Sequence, residues 1–226
     1  GVADIFRLPK FSLSFFRTQI AEGSMLPSGK MPYEVFIPAY RDEILSDTVM
    51  VYGNVDEVEL VLNGKTIRRQ TADKGPDSDY IPVPNGGNGK NLHFPPFTFY
   101  GVPKERGVLK AVGYHQGKKV AEYTVKTPGV PERLDITYFE SGKPATKNDL
   151  LIVYVRMLDK QGVLCPVNGI PVELSVQGGE IVGPTSYPLE AGVASFLVRT
   201  GEISKININA TGKGFSTRKS LKVGKE

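Results

Sequence analysis

From Glu57 to Leu62 the chain alternates in character: Val58, Leu60 and Leu62 fall on one side, Glu57, Glu59 and Val61 on the other. A period of two gives a strand with one apolar face and one mostly wet face. Asn63-Gly64 follows, and Lys65-Thr-Ile-Arg-Arg69 runs on as a second strand. A two-residue Asn-Gly connection supplies the two positive-φ positions of a type I′ turn, so the segment predicts a β-hairpin.

The remaining chain reads the same way. The 226 residues include 25 Gly and 17 Pro, and segments with helical period are few. That composition favours many short strands and turns, with enough length for one large or two ordinary domains. Strand signals occur at Tyr33–Ile37, Thr48–Tyr52 and Phe97–Tyr100. A second hairpin is expected from Gly107–Tyr114 and Lys118–Val125 across His115-Gln-Gly117. Between them, residues 71–96 are rich in Gly, Pro, Asn and Asp and read as a long loop of the kind that carries function or motion. Thr127-Pro-Gly-Val-Pro131 is a stiff, proline-bounded joint. Beyond it, Arg133–Phe139, Asp149–Leu158, Ile170–Val176, Gly192–Arg199, Lys205–Ala210 and Ser216–Val223 space out the strands of a second sandwich. Residues 1–20 stand apart: Pro9 is placed to start a helix, with Leu8, Phe11, Phe15 and Ile20 at helical spacing. Residues 21–32 read as a linker or long loop.

Several of these phrases resemble glycoside hydrolases of family 2, the β-galactosidase family. The immunoglobulin-like sandwich that follows their catalytic barrel carries a phrase close to V-Y-S-N-C-D-E-V-E-L-F-L-N-G-K. Tyr52, Asn54, Asp56 to Leu60 and Leu62 to Lys65 fall on it. The second hairpin is similar to G-x-L-x-A-V-G-Y-x-x-G-K-x-V-A of the same family. Gly1, Asp4, Arg7, Pro9 and Lys10 land on G-x-x-D-x-x-R-x-P-K, which leads into the last outer helix of the barrel. The later strands, with Leu158-Asp-Lys-Gln-Gly162 and Ile208-Asn-Ala-Thr-Gly212, resemble bacterial immunoglobulin-like domains of the invasin type. The resemblance implies an all-β chain: two immunoglobulin-like sandwiches in tandem behind a short N-terminal helix. Residues 1–30 would be a remnant of the last barrel helix with its linker, 31–127 the first sandwich and 128–226 the second. The parent, by resemblance, hydrolyses β-glycosidic bonds, β-galactosides above all, by double displacement. Family habit also leads to the expectation of a periplasmic or secreted enzyme, although no export signal pattern opens this sequence.

Chemistry is hard to place in the chain itself. A retaining glycosidase needs two carboxylates about 5–5.5 Å apart. The family carries both on the barrel, and no position here corresponds to either. Asp56, Glu57 and Glu59 are the best local acids, but alternation turns Glu57 and Glu59 outward, so they read as solvated edge charges. Gly64-Lys65-Thr66 ends like a phosphate loop, yet Glu59 stands where its first glycine belongs. No G-x-S-x-G elbow occurs, and His93 and His115 are the only histidines. No catalytic, metal or cofactor site is therefore assigned. Cys165 has no cysteine partner and reads as a small core residue. Asn209-Ala-Thr211 matches a glycosylation sequon inside an expected strand.

The partner predictions follow from the same residues. A formal charge of +4 arises from 28 basic residues scattered among 24 acidic ones, with a mild excess at the tail, so nucleic-acid binding is not expected. No apolar run is long enough to span a membrane. The apolar stripe of a short helix needs a surface, so Phe11, Phe15 and Phe16 are assigned to docking. Their seat would be the adjacent sandwich, the catalytic barrel of the parent, or a second copy of the chain through the same helix. Carbohydrate contact, if present, falls to Tyr80, His93, Phe94 and Tyr100 in and beside the 71–96 loop; Trp is absent. Two rival readings from other classes are a carbohydrate-binding module and a cell-surface adhesin module.

Overall fold

The computed structural model describes residues 2–39, 47–73, 92–139, 144–202 and 204–224. Two-residue turns close three of its hairpins. Strand β5 (Glu57–Leu62) returns as β6 (Lys65–Thr71), β8 (Val108–His115) as β9 (Lys118–Lys126), and β16 (Lys205–Gly212) as β17 (Phe215–Lys222). The central residues Asn63-Gly64, Gln116-Gly117 and Lys213-Gly214 all have positive φ, as a type I′ turn demands. Asn and Gly adopt that conformation at low cost; Gln116 and Lys213 are held in it by the ladders on either side.

Gly1–Thr127 and Pro128–Glu226 form two compact units. In the first, helix α1 (Phe11–Thr18) is followed by a small hairpin, β1 (Met25–Leu26) and β2 (Gly29–Lys30), inside the stretch predicted as a linker. The Met31 N–H donates to the Ser24 carbonyl and the Gly23 N–H to the Met31 carbonyl, each at 2.8 Å, extending this hairpin toward the buried Met31. Strands β3 (Val35–Phe36), β4 (Val49–Gly53) and β7 (Phe97–Phe99) make one sheet. The other runs β6-β5-β8-β9, antiparallel throughout. The expected alternation holds in β5: Val58, Leu60 and Leu62 are buried against Val49, Val51, Phe97 and Phe99 of the facing sheet. Each large side chain so buried contributes about 1.5–3 kcal/mol of transfer free energy. Most of the predicted 71–96 loop, Tyr80 included, lies outside the described residues.

The second unit packs two four-stranded sheets. One has the order β10 (Arg133–Tyr138), β11 (Leu150–Leu158), β15 (Val193–Thr200), β13 (Gly179–Ile181). The other has the order β14 (Ser186–Pro188), β12 (Pro171–Gln177), β16, β17. Val153, Val155, Met157, Phe196 and Val198 meet Val172, Leu174, Ile206 and Ile208 in a core that shares no residue with that of the first unit. The sequence reading missed β13 and β14, each three residues long and set among glycines. Asn209 of the sequon does lie in a strand, β16. Cys165 is buried, and burial pushes its thiol above the ordinary value. Among the described residues no helix is long and apolar enough to cross a membrane. Among the described residues the fold is all-β with one short helix, as predicted.

Candidate functional site

The helix expected over residues 1–20 is shorter and starts later. Asp4 breaks the segment: its Oδ1 accepts from the N–H groups of Phe6 (2.8 Å) and Leu8 (2.9 Å). Arg7 takes a positive φ, and an isolated bridge joins Ala3 to Pro9. Residues 3–9 are therefore a closed turn, and helix begins only at Phe11, with Lys10 as N-cap and no side-chain cap bond. Leu8 and Ile20 fall outside it. Asp4, Arg7 and Pro9 thus make the entry loop of α1, and Pro9 sits two residues ahead of the helix rather than in its first turn.

Eight residues do not hold a helix alone in water, so tertiary contacts decide. Phe15 sets its edge against Tyr52 of β4, ring centres 4.9 Å apart. Phe11 meets Phe36 of β3 at 5.6 Å, and Phe36 meets Tyr123 of β9 at 5.2 Å, both edge-to-face. Such pairs add about 0.5–1.5 kcal/mol each beyond the area they bury. The Arg17 guanidinium forks onto the Glu34 carboxylate through Nε and Nη2. That bond, more than burial opposes it, raises the already high pKa of Arg17. Just past the helix, the Gln19 amide imitates a strand partner for Phe94: Nε2 donates to the Phe94 carbonyl (3.0 Å) and Oε1 accepts from its N–H (3.1 Å).

Asn54 completes the seat. It is buried, and its Nδ2 donates to the carbonyls of Ile20 (2.9 Å) and Pro32 (3.0 Å) while Oδ1 accepts from the Glu34 N–H (2.6 Å). One side chain therefore fastens the end of α1, the exit of the small hairpin and the approach to β3. Sequence reasoning placed Asn54 in a family phrase but could not give this role, because its partners are 20–34 residues away. Glu34, Gln19 and Arg17 were missed for the same reason.

The outward side of this seat is apolar. Phe16 is 55% exposed, with its ring edge on Phe15, and Phe11 and Tyr123 are each more than a third exposed. Phe11, Phe15 and Phe16 thus lie together, the first two seated on β3 and β4 and the third turned away. Of the residues considered for sugar contact, Tyr80 lies outside the described residues. His93 is exposed and edge-on to Phe94 at 4.5 Å, Phe94 is half-buried with its main chain held by Gln19, and Tyr100 is half-buried.

The acids do not make a catalytic pair. Asp56 Oδ2 accepts from the Gln116 N–H (2.8 Å), and Oδ1 lies 3.1 Å from Nδ1 of His115, whose ring stacks on Tyr33. Glu57 pairs with Arg69 at 2.5 Å. Glu59 accepts from the hydroxyls of Thr66 (2.6 Å) and Tyr114 (2.7 Å). The Gln116 N–H holds the Asp56 carboxyl below its ordinary value, and the Thr66 hydroxyl does the same for Glu59. A glycosidase acid needs the opposite, a carboxyl kept protonated near neutral pH. Among the described residues no group of three or more His, Cys, Asp or Glu side chains is arranged to hold a metal ion.

Comparison with known proteins fits this geometry. Residues 46–121, from just ahead of β4 into β9, match a family described as a domain of unknown function, DUF4982. A β-galactosidase of Thermoanaerobacter pseudethanolicus is 31% identical over 212 residues, which are 88% of this chain and 26% of that protein. A β-galactosidase sequence of Rhizobium radiobacter is 30% identical over 129 residues, 56% of this chain and 92% of its own length. The chain belongs to glycoside hydrolase family 2. It spans about a quarter of the Thermoanaerobacter relative and 18% of a Bacteroides ovatus β-galactosidase. The structure of a family 2 β-glucuronidase superposes with a TM-score of 0.77 over 100% of this chain and 23% of that one, at 22% identity. At that identity the likeness speaks for the fold, and it extends through both sandwiches.

Proposed function

We propose that this chain is the non-catalytic, carboxy-terminal β-sandwich region of a family 2 glycosidase whose catalytic barrel it braces. The observation that carries the reading is the docked helix. Eight residues are pinned by Arg17–Glu34, Gln19–Phe94 and Asn54, yet Phe16 faces away from the sandwich that holds them. A helix seated this firmly with a bare aromatic edge is a connector whose second side belongs to another body. That body is the barrel of the longer enzymes, of which the chain spans about a quarter. The parent acts on β-glycosidic bonds, β-galactosides by the names of its relatives, and supplies both catalytic carboxylates from the barrel.

The test is direct. The chain, prepared from a host without β-galactosidase, folds cooperatively and releases no nitrophenol from aryl β-galactosides or β-glucuronides above a buffer blank. Turnover by this chain would refute the assignment.

A further inference from the structure

Strand alternation gives the β14-β12-β16-β17 sheet of the second unit an outer face unlike that of β6-β5-β8-β9 in the first. Val172, Leu174, Ile206, Ile208 and Ala210 point into the core. The residues between them, Glu173, Ser175 and Gln177 on β12, and Lys205, Asn207, Asn209 and Thr211 on β16, point out. Register sets Lys222, Ser220, Arg218 and Ser216 of β17 beside Lys205, Asn207, Asn209 and Thr211. Apart from the prolines of β12 and β14 this face carries no apolar side chain. Its hydroxyls and amides are close enough to bond across the strands, as Ser220 Oγ does to Asn207 Oδ1 (2.7 Å).

The cations on this face are the unusual part. Lys205 lies directly opposite Lys222, which places two like charges about 5 Å apart at their Cβ atoms, an arrangement that destabilises a sheet. Among the described residues neither lysine, nor Arg218, has an ion-pair partner, and Glu173 is the one acid on the face. The outer face of β6-β5-β8-β9 is built the other way: Arg69 pairs with Glu57, and Lys110 and Lys119 share Glu122. Along β17, Arg218 and Lys222 are four residues apart, about 13 Å at roughly 3.3 Å per residue. The positive groups are thus spread over a flat field of neutral hydrogen-bonding groups.

We infer that this face binds an acidic polysaccharide, with Arg218, Lys205 and Lys222 meeting its carboxylates and Asn207, Asn209 and Ser220 meeting its hydroxyls. Charge complementarity selects an anion. The mosaic of hydroxyls and amides selects a sugar polymer over the other polyanions. A single-stranded nucleic acid is held by aromatic platforms beside its basic groove, and an anionic membrane by inserted apolar groups or a cluster of about four or more basic residues; this face has none of these. The inference goes beyond a bracing role, and its test reads binding without turnover, so its outcome is separate from that of the nitrophenol assay.

The probe is polygalacturonate, cast into a native gel through which the 226-residue chain migrates. The chain is expected to be retarded relative to a blank gel, and the retardation to vanish in about 0.5 M NaCl, where charges are screened within a few ångströms. The triple variant Lys205→Gln, Arg218→Gln, Lys222→Gln is expected to bind roughly tenfold or more weakly while melting at the parent temperature or above it, since the Lys205–Lys222 repulsion is gone. A measurement that needs no variant stands beside it: titrated polygalacturonate should shift the backbone amides of residues 205–222 and leave those of β5 and β8 in place. The proposal is overturned by absent retardation, by an undiminished triple variant, or by amide shifts confined elsewhere. Equal retardation by neutral galactan, or equal or tighter binding of a thymidine oligonucleotide or phosphatidylserine vesicles, overturns it as well.

Discussion

A carboxylate that is 2% exposed is costly unless its charge is met, and at Asp159 the main chain meets it. Oδ2 accepts from the Gly129 N–H at 2.7 Å and Oδ1 from the Val163 N–H at 2.8 Å. Burial is the largest single influence and pushes the carboxyl up. The N–H donors of Gly129, Val163, Gln161 and Gly162 together outweigh it, so the group is held below its ordinary value. The sign of the pH dependence follows. Between the lowered folded pKa and the unfolded value near 4, the unfolded chain binds more protons, so stability rises with pH. The contribution is complete above about pH 4 and is lost as pH falls through the folded pKa. Asp159→Asn turns an amide N–H toward a main-chain donor, so at pH 7 it should cost about 1–3 kcal/mol and flatten the acid limb of stability. Urea midpoints of both proteins from about pH 2 to 7 decide it, and parallel curves would refute the account. The Leu158-Asp-Lys-Gln-Gly162 phrase was visible in the sequence as part of a family resemblance, but the remote donor Gly129 was not. Asn54 is the same case. Asn63, whose positive φ belongs to a two-residue turn shared with its neighbour Gly64, was legible outright.

Among elements, legibility followed length, except at the short β3 and β7, which apolar and aromatic runs gave away. The strands β5, β8, β11, β15 and β16 have six to nine residues, enough for a period of two to show, and each was placed within a residue or two. Strands β1, β2, β13 and β14 have two or three residues, too few for any period; β13 and β14 are held by the longer β15 and β12, while β1 and β2 pair with each other. Helix α1 stands between these cases. Its aromatic spacing was readable, but its start is set by the Asp4 turn and its existence by the seat on β3 and β4. Phe15 is the contact that ties it most directly to the sandwich, through Tyr52. Phe15→Ala should lower global stability by about 1–3 kcal/mol, less than the roughly 3–5 of a fully buried phenylalanine. The more telling readout is local. Amides of residues 11–18 should exchange at the rates of an unstructured peptide while those of β5 and β8 keep their protection. Retained protection in the helix would mean that Arg17, Gln19 and Asn54 hold it without the ring.

At the scale of the whole molecule, the question is whether two cores mean two folding units. The buried residues of Gly1–Thr127 and of Pro128–Glu226 fall into separate clusters, and every strand pairing stays within one unit. The division between the units falls within Thr127-Pro-Gly-Val-Pro131, where two prolines restrict the chain. Asp159 reaches back to Gly129 and counts the end of that joint with the second unit. A cut between Thr127 and Pro128 breaks no ladder and leaves each core complete. Residues 1–127 and 128–226 made separately should each unfold in one cooperative transition, since domains of about 100 residues sustain their own cores. The denaturant slope measures the surface exposed on unfolding, so the two fragment slopes should add to the total for the intact chain. A fragment that lacks a transition, or slopes that fall well short of the whole, would mean that burial between the units is part of what folds them.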